Sequence, residues 1–318
     1  ASMLVLSIPT ALIPLSPSLS AVIVLRFVQG LAVPGIVVVL IAYIAEEFRQ
    51  GGVARMTSTY VSGTVVGGFC GRFLTGHAGQ WLGWRGAFFV LAVLNLLGAL
   101  VVIWQLPASR HFVANRNLRG SLQTLGKHVR NRRLWAVCAL GFCVLFSLVG
   151  TFTYVNLYLI DEPFHLSAAG LANVFGVYLF GAVVTPFAAR LTIHHGFLRA
   201  VLWSLAVSMT GLFLTLVPSL WVVIVGLAIC SSGVFVCQSA TIGHMADFVS
   251  EGRSLATGLY YMSYYAGGAA ATWMAGLAFE GRGWLGALVV VALFQCLAGL
   301  VAVLFLRHPE PGVTTAPV

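Results

Sequence analysis

Two arginines, Arg26 and Arg72, sit inside long apolar runs, where a guanidinium at a helix centre costs about 2.5–3.5 kcal/mol on insertion scales. Arg26 lies seven residues into its run, and on a helix its neighbours at i+3 and i+4 are Gln29 and Gly30. The amide offers a polar partner and the glycine leaves room beside the charge. A fixed cation in such a place either binds an anionic group or tunes the proton affinity of a nearby acid. The structural alternative is that it caps the carbonyls of a neighbouring helix. Arg72 lies roughly four turns from the cytoplasmic end of its run, too far to reach water there by stretching.

Glycines surround both arginines. Gly63, Gly67 and Gly71 fall at i, i+4 and i+8, with Gly68 and Arg72 on the adjacent stripe. Small residues at that spacing let helix backbones approach closely and slide. Gly267 and Gly268 stand where Gly67 and Gly68 do, 200 residues later. Polar but uncharged residues mark other faces: Ser147, Thr151, Tyr154 and Tyr158 on one, Ser231, Gln238 and Thr241 on another, with Tyr260, Tyr261, Tyr264 and Tyr265 clustered nearby. We take Ser147, Thr151, Tyr154, Asn156, Gln238, Tyr260 and Tyr264 as candidate cavity lining for a neutral or amphipathic solute. Read singly, each also serves as an interhelical hydrogen bond or a packing residue.

No carboxylate lies deep in an apolar run. Glu46, Glu47 and Asp247 fall at run ends near Arg49, Arg55 and Arg253, where ion pairs could form an inner latch. His77 and His244 are the histidines nearest the interior of a run, and the His194-His195 pair lacks the spacing of a metal site. No triad, phosphate-binding loop or zinc helix is present, so neither an enzyme, a metal nor a cofactor is expected.

The elements that hold these residues follow from composition. The 318 residues are 59% hydrophobic and 8% charged, against roughly 25% charged in a soluble domain. Their mean hydropathy is +0.97. An all-α polytopic membrane protein is expected, because the runs exceed the ~10 residues of a barrel strand and do not alternate. Ten spans fit: 2–16, 19–45, 55–78, 84–106, 134–160, 167–190, 198–217, 219–245, 253–278 and 283–306. The net charge of +9 is spread between spans rather than along one face, which argues against nucleic acid. All six cysteines lie in apolar runs without a C-x-x-C pair, and are read as packing residues.

The basic stretch 107–133, placed in the cytoplasm, puts thirteen of the seventeen basic residues inside, against Arg85 and Arg282 outside. The C-terminus, 307–318, is then cytoplasmic too. The chain also repeats itself. At an offset of 200, Thr57, Tyr60, Gly67, Gly68, Gly76, Ala78, Gly83, Trp84, Gly86 and Ala87 match Thr257, Tyr260, Gly267, Gly268, Gly276, Ala278, Gly283, Trp284, Gly286 and Ala287. The expected division is a four-span unit at 1–106, the linker 107–133 and a six-span unit at 134–306. The offset puts the first unit's start about 67 residues before Ala1, so two helices of an expected twelve are read as missing.

Two parallel six-helix repeats joined by a basic linker resemble the major facilitator superfamily. R-F-V-Q-G at 26–30 resembles its fourth-helix motif, with Val22 in place of the usual first leucine. G-T-V-V-G-G-F-C-G-R at 63–72 resembles the fifth-helix motif of the drug/proton antiporter branch, with Gly68 replacing its proline and Arg72 its last glycine. G-W-R-G-A-F-F at 83–89 resembles the entrance to the sixth helix, and with F-T-Y-V-N-L-Y-L at 152–159 looks like the bacterial inner-membrane arabinose- or drug-efflux group. The resemblance implies a monomeric secondary transporter in the inner membrane that exports a sugar or drug-like solute in exchange for protons, by alternating access. The other readings are a non-transporting receptor or assembly protein on the same fold, or an inactive truncated transporter.

Overall fold

The computed structural model describes residues 2–47, 50–107, 118–185, 191–192, 194–249 and 251–306. Its regular secondary structure in these segments is helical. The elements are α1 (Ser2–Leu12, continued by a 3-10 turn at Ile13–Leu15), α2 (Leu19–Glu47), α3 (Gln50–Gln105), α4 (Leu118–Arg130) and α5 (Arg132–Ile160). They continue with α6 (Ala168–Val174), α7 (Val177–Val184), α8 (Phe197–Leu214), α9 (Leu220–Phe248) and α10 (Arg253–Phe305). The protein is an all-α membrane protein.

Among the described residues six helices are long and apolar enough to cross a bilayer, and two shorter apolar stretches cover Ser2–Leu15 and Ala168–Val184. Two of the six, α3 and α10, have 56 and 53 residues, far more than the ~20 a single span needs. Each breaks at a glycine. Gly83 has φ 70° and ψ 175°, and Gly283 has φ 58° and ψ −146°, conformations that a side chain disfavours. These are equivalent positions at the 200-residue offset, so both copies make the turn between their last two spans with the same residue. Trp81, Trp104 and Trp221 are 84%, 85% and 77% exposed, a degree that suits indoles facing lipid rather than water.

The stretch read as one span over 167–190 is interrupted. It forms α6 and α7 with a tightened turn between them, in which Gly176 N–H bonds the Asn173 carbonyl and Tyr178 N–H bonds that of Phe175. The polar stretch at 107–133 contains a helix that the apolar pattern could not reveal, because α4 is amphipathic and too polar to read as a span. Arg49, Arg110, Arg116, Arg190 and the tail 307–318 lie outside the described residues, as do the side chains of Glu46, Arg55 and Asp247. Packing within the chain defines two compact units, one of residues 1–116 and 159–183, the other of 117–158 and 184–318. Repeat and packing therefore divide the chain differently: α6, numbered within the second repeat, packs in the first unit against α3.

The second unit has a dense core, in which Leu134, Val137, Leu140 and Val144 of α5 meet Val201, Val234, Cys237, Tyr260 and Ala298. Its helices cross at glycines. A Cβ on Gly267 would run into the carbonyl of Phe142, and one on Gly141 into the Tyr260 ring. In the first unit, by contrast, nothing among the described residues lies within 4 Å of a Cβ built on Gly30, Gly63, Gly67 or Gly71. The two copies of the glycine stripe thus differ in surroundings. Gly267→Ala should destabilise the protein by about 1–3 kcal/mol, since backbone must shift to admit the methyl group. Gly63→Ala should change stability by no more than ~0.5 kcal/mol. Melting of the two variants in detergent checks both.

Candidate functional site

The first unit carries an open pocket of about 580 Å³, within the range of small-molecule sites. Three layers of it come from α2, α3 and α6. The α2 side contributes Arg26, the first part of α3 contributes Gly67, Gly68, Gly71, Arg72, Thr75 and Gly76, and the part of α3 beyond the kink contributes Phe88 and Leu91. Ala168, Leu171, Ala172 and Phe175 close the remaining side. Gly76 is the tight point, where a Cβ would overlap that of Ala172 and lie 3.1 Å from the Ala168 carbonyl. Gly67 and Gly71 keep their stretch of the wall without side chains.

Each arginine is exposed and makes one hydrogen bond among the described residues. Arg26 Nη1 donates to Gln29 Oε1 at 3.3 Å, and Gln29 Nε2 donates to Thr10 Oγ1 at 2.7 Å. Thr10 in turn donates to the Leu6 carbonyl at 2.7 Å, so a relay running from α2 to α1 fixes the amide that fixes the arginine. The Arg26 guanidinium lies 5.0 Å from the Phe88 ring centroid. Arg72 Nη1 donates to the Gly68 carbonyl at 3.1 Å, and its guanidinium lies 5.0 Å from Phe175 and 5.5 Å from Tyr178. Such cation–π interactions contribute about 0.5–2 kcal/mol each, depending on desolvation. No carboxylate is among the lining residues, and neither arginine forms an ion pair among the described residues.

The neutral polar residues picked from sequence are elsewhere, in the second unit, and none lines this cavity. Ser147 is buried and donates to the Cys143 carbonyl at 2.8 Å. Thr151 and Tyr260 are fully buried, the latter stacked on Tyr264 with centroids 6.0 Å apart. Tyr154 donates its hydroxyl to the Thr272 carbonyl, and Gln238 Nε2 donates to the Tyr264 hydroxyl at 3.0 Å. Asn156 is half-buried, and its Oδ1 has no hydrogen-bond partner among the described residues. Gly268 packs against Leu145. His77 bonds the Phe73 carbonyl one turn back, and His244 stacks on Phe197 and meets Arg133 Nη2 at 3.1 Å.

A second polar cluster has no counterpart among the residues picked from sequence. Gln295, 1% exposed, donates from Nε2 to Ser208 Oγ at 2.9 Å, and Ser208 lies 3.4 Å from Cys230 Sγ. Beside the kink of α10, Trp284 Nε1 donates to Thr215 Oγ1 at 3.0 Å. Single polar residues far apart in an apolar sequence form no pattern to find. Of the expected latch carboxylates, Glu46 and Asp247 have side chains outside the described residues; elsewhere Lys127 and Glu251, both exposed, lie 3.1 Å apart and tether α4 to the segment ahead of α10.

Comparison with known proteins agrees with the helical architecture. The chain is 31% identical over 302 residues to the inner membrane transport protein YnfM of Escherichia coli, covering 94% of this chain and 72% of that protein. It is 28% identical over 298 residues to the MFS-type transporter YybF of Bacillus subtilis, covering 93% and 74%. A bacterial homologue of the human lysosomal transporter Spinster, solved in an inward-facing and unoccupied conformation, superposes with a TM-score of 0.70 at 15% identity, over 98% of this chain and 84% of that one. The family model of the Major Facilitator Superfamily matches residues 1–177 and again 158–317. Matched by that model in two segments that together span residues 1–317, the chain belongs to the Major Facilitator Superfamily of membrane transporters.

Proposed function

We propose that the protein is a proton-coupled secondary transporter of the inner membrane, working as a monomer, that exports a small organic solute by alternating access. The observation that carries this reading is the cavity of the first unit. It is of small-molecule size, it is walled by apolar helices, and it places Arg26 and Arg72 at one site. Export rather than uptake is supported by the glycine-rich stretch 63–72, which resembles the drug/proton antiporter motif. The excess of basic residues in the linker supports a cytoplasmic linker and C-terminus.

The test uses the full-length protein in everted membrane vesicles. Solutes that raise its melting temperature, chosen from a panel of sugars, drug-like amphiphiles and organic anions, should accumulate uphill when the lumen is acid. An uncoupler should collapse that accumulation to the level of vesicles without the protein. Binding with no flux of any bound solute would instead support a receptor on the same fold.

A further inference from the structure

The cavity's charge is one-sided. Two guanidiniums line it, and like charges at one site repel. In the first unit the described partners of Arg26 are an amide and a ring, and those of Arg72 are a carbonyl and two rings. A guanidinium carries five N–H donors, and each arginine directs one of them, through Nη1, to the protein. The remaining donors match carboxylate or phosphate oxygens in a planar fork. The Gln29–Thr10 relay behind Arg26 is buried, so that arginine is held in place before any ligand arrives. The rest of the wall, Phe88, Leu91, Leu171 and Phe175, is apolar.

Building on the transporter reading, we infer that this cavity binds an amphipathic organic anion, its carboxylate or phosphate group lodged between Arg26 and Arg72 and its apolar part against Phe88, Leu91, Leu171 and Phe175. This differs from the neutral solute that the sequence suggested. That expectation rested on Ser147, Thr151, Tyr154, Gln238 and the tyrosine cluster at 260–265, which belong to the second unit and do not line this pocket. An anionic phospholipid headgroup carries the same chemistry as a phosphate-bearing solute, and the test separates the two.

Full-length protein is reconstituted in phosphatidylcholine vesicles and titrated with benzoate, octanoate and phenyl phosphate, each paired with its neutral counterpart: benzamide, octanamide and phenol. At least one anion should raise the melting temperature where its counterpart does not. Its affinity should fall about tenfold at Arg26→Gln and again at Arg72→Gln, as expected when each change removes one charge-assisted hydrogen bond. The lysine variants keep the charge but lose the fork, and should bind at intermediate strength; they decide the matter if a glutamine variant does not fold. Equal binding of a neutral counterpart would overturn the inference. So would lysine variants that bind as the wild type does, or an anion series that shifts the double glutamine variant as much as the wild type. Repeating the titration with phosphatidylglycerol present tests the lipid source: loss of the anion effect there assigns the site to a headgroup and overturns the solute assignment. Counterflow of the bound probe keeps the two readings apart. Anion binding without counterflow sinks transport and keeps the anion site, whereas counterflow of neutral probes alone does the reverse.

Discussion

A tryptophan in place of Gly71 is expected to cut solute transport about a hundredfold while the protein stays folded. Gly71 lines the cavity, and a Cβ built on it meets nothing within 4 Å. An indole there therefore grows into open space rather than into a packed neighbour. Its ring takes up room that a solute needs, beside Arg72 and across from Phe88. A hundredfold loss corresponds to about 2.7 kcal/mol, the upper part of what overpacking costs in a filled core. Gly63 supplies the control. It lies eight residues earlier on α3, about 12 Å along the axis, and is absent from the lining. Gly63→Trp should transport as the wild type does. Initial rates in everted vesicles, with melting temperatures measured alongside, read both variants. Normal transport by Gly71→Trp would show that the solute passes elsewhere.

The contrast between these glycines shows where the sequence is informative. Periodicity identifies the stripe and the 200-residue offset pairs it with Gly267 and Gly268, because both features are local or exactly repeated. The i+3 spacing brings Gln29 to Arg26, and the same local geometry explains the one-turn bond from Arg72 to the Gly68 carbonyl. The kinks at Gly83 and Gly283 fall at the junctions of adjacent expected spans for the same reason, since a glycine ahead of Trp84 or Trp284 is visible in a few residues. What local pattern does not carry is which side of each stripe meets another helix. Gly67 faces a cavity while Gly267 faces the Phe142 carbonyl, and only tertiary packing separates them. Phe175 reaches Arg72 from more than 100 residues away, across a break in the expected sixth span. Serine and tyrosine stripes in α5 point to a polar site, yet hydroxyls buried in an apolar unit are equally well satisfied by carbonyls one turn back, as Ser147 is.

The Gln295–Ser208 pair makes the second large effect measurable. Ser208→Ala should lower stability by about 1–2 kcal/mol, because it removes the acceptor of Gln295 Nε2 and leaves an amide poorly paired in an apolar interior. The Oε1 atom of Gln295 has no hydrogen-bond partner among the described residues, so the variant would strip the amide of its 2.9 Å hydrogen bond and leave it only the weakly accepting Cys230 thiol. The double variant Ser208→Ala/Gln295→Leu should recover most of that stability. Replacing both partners by apolar groups removes the desolvation penalty along with the bond, whereas removing one leaves the penalty in place. Leucine keeps much of the side-chain volume between α10 and α8, so no large cavity should offset the gain. Reversible melting of the single and double variants in detergent gives the coupling energy directly. Additive losses in the double variant would mean that Gln295 is held by its packing alone. Recovery would identify the pair as a polar contact whose stability depends on both members, set in the interior of the unit that carries most of the dense core.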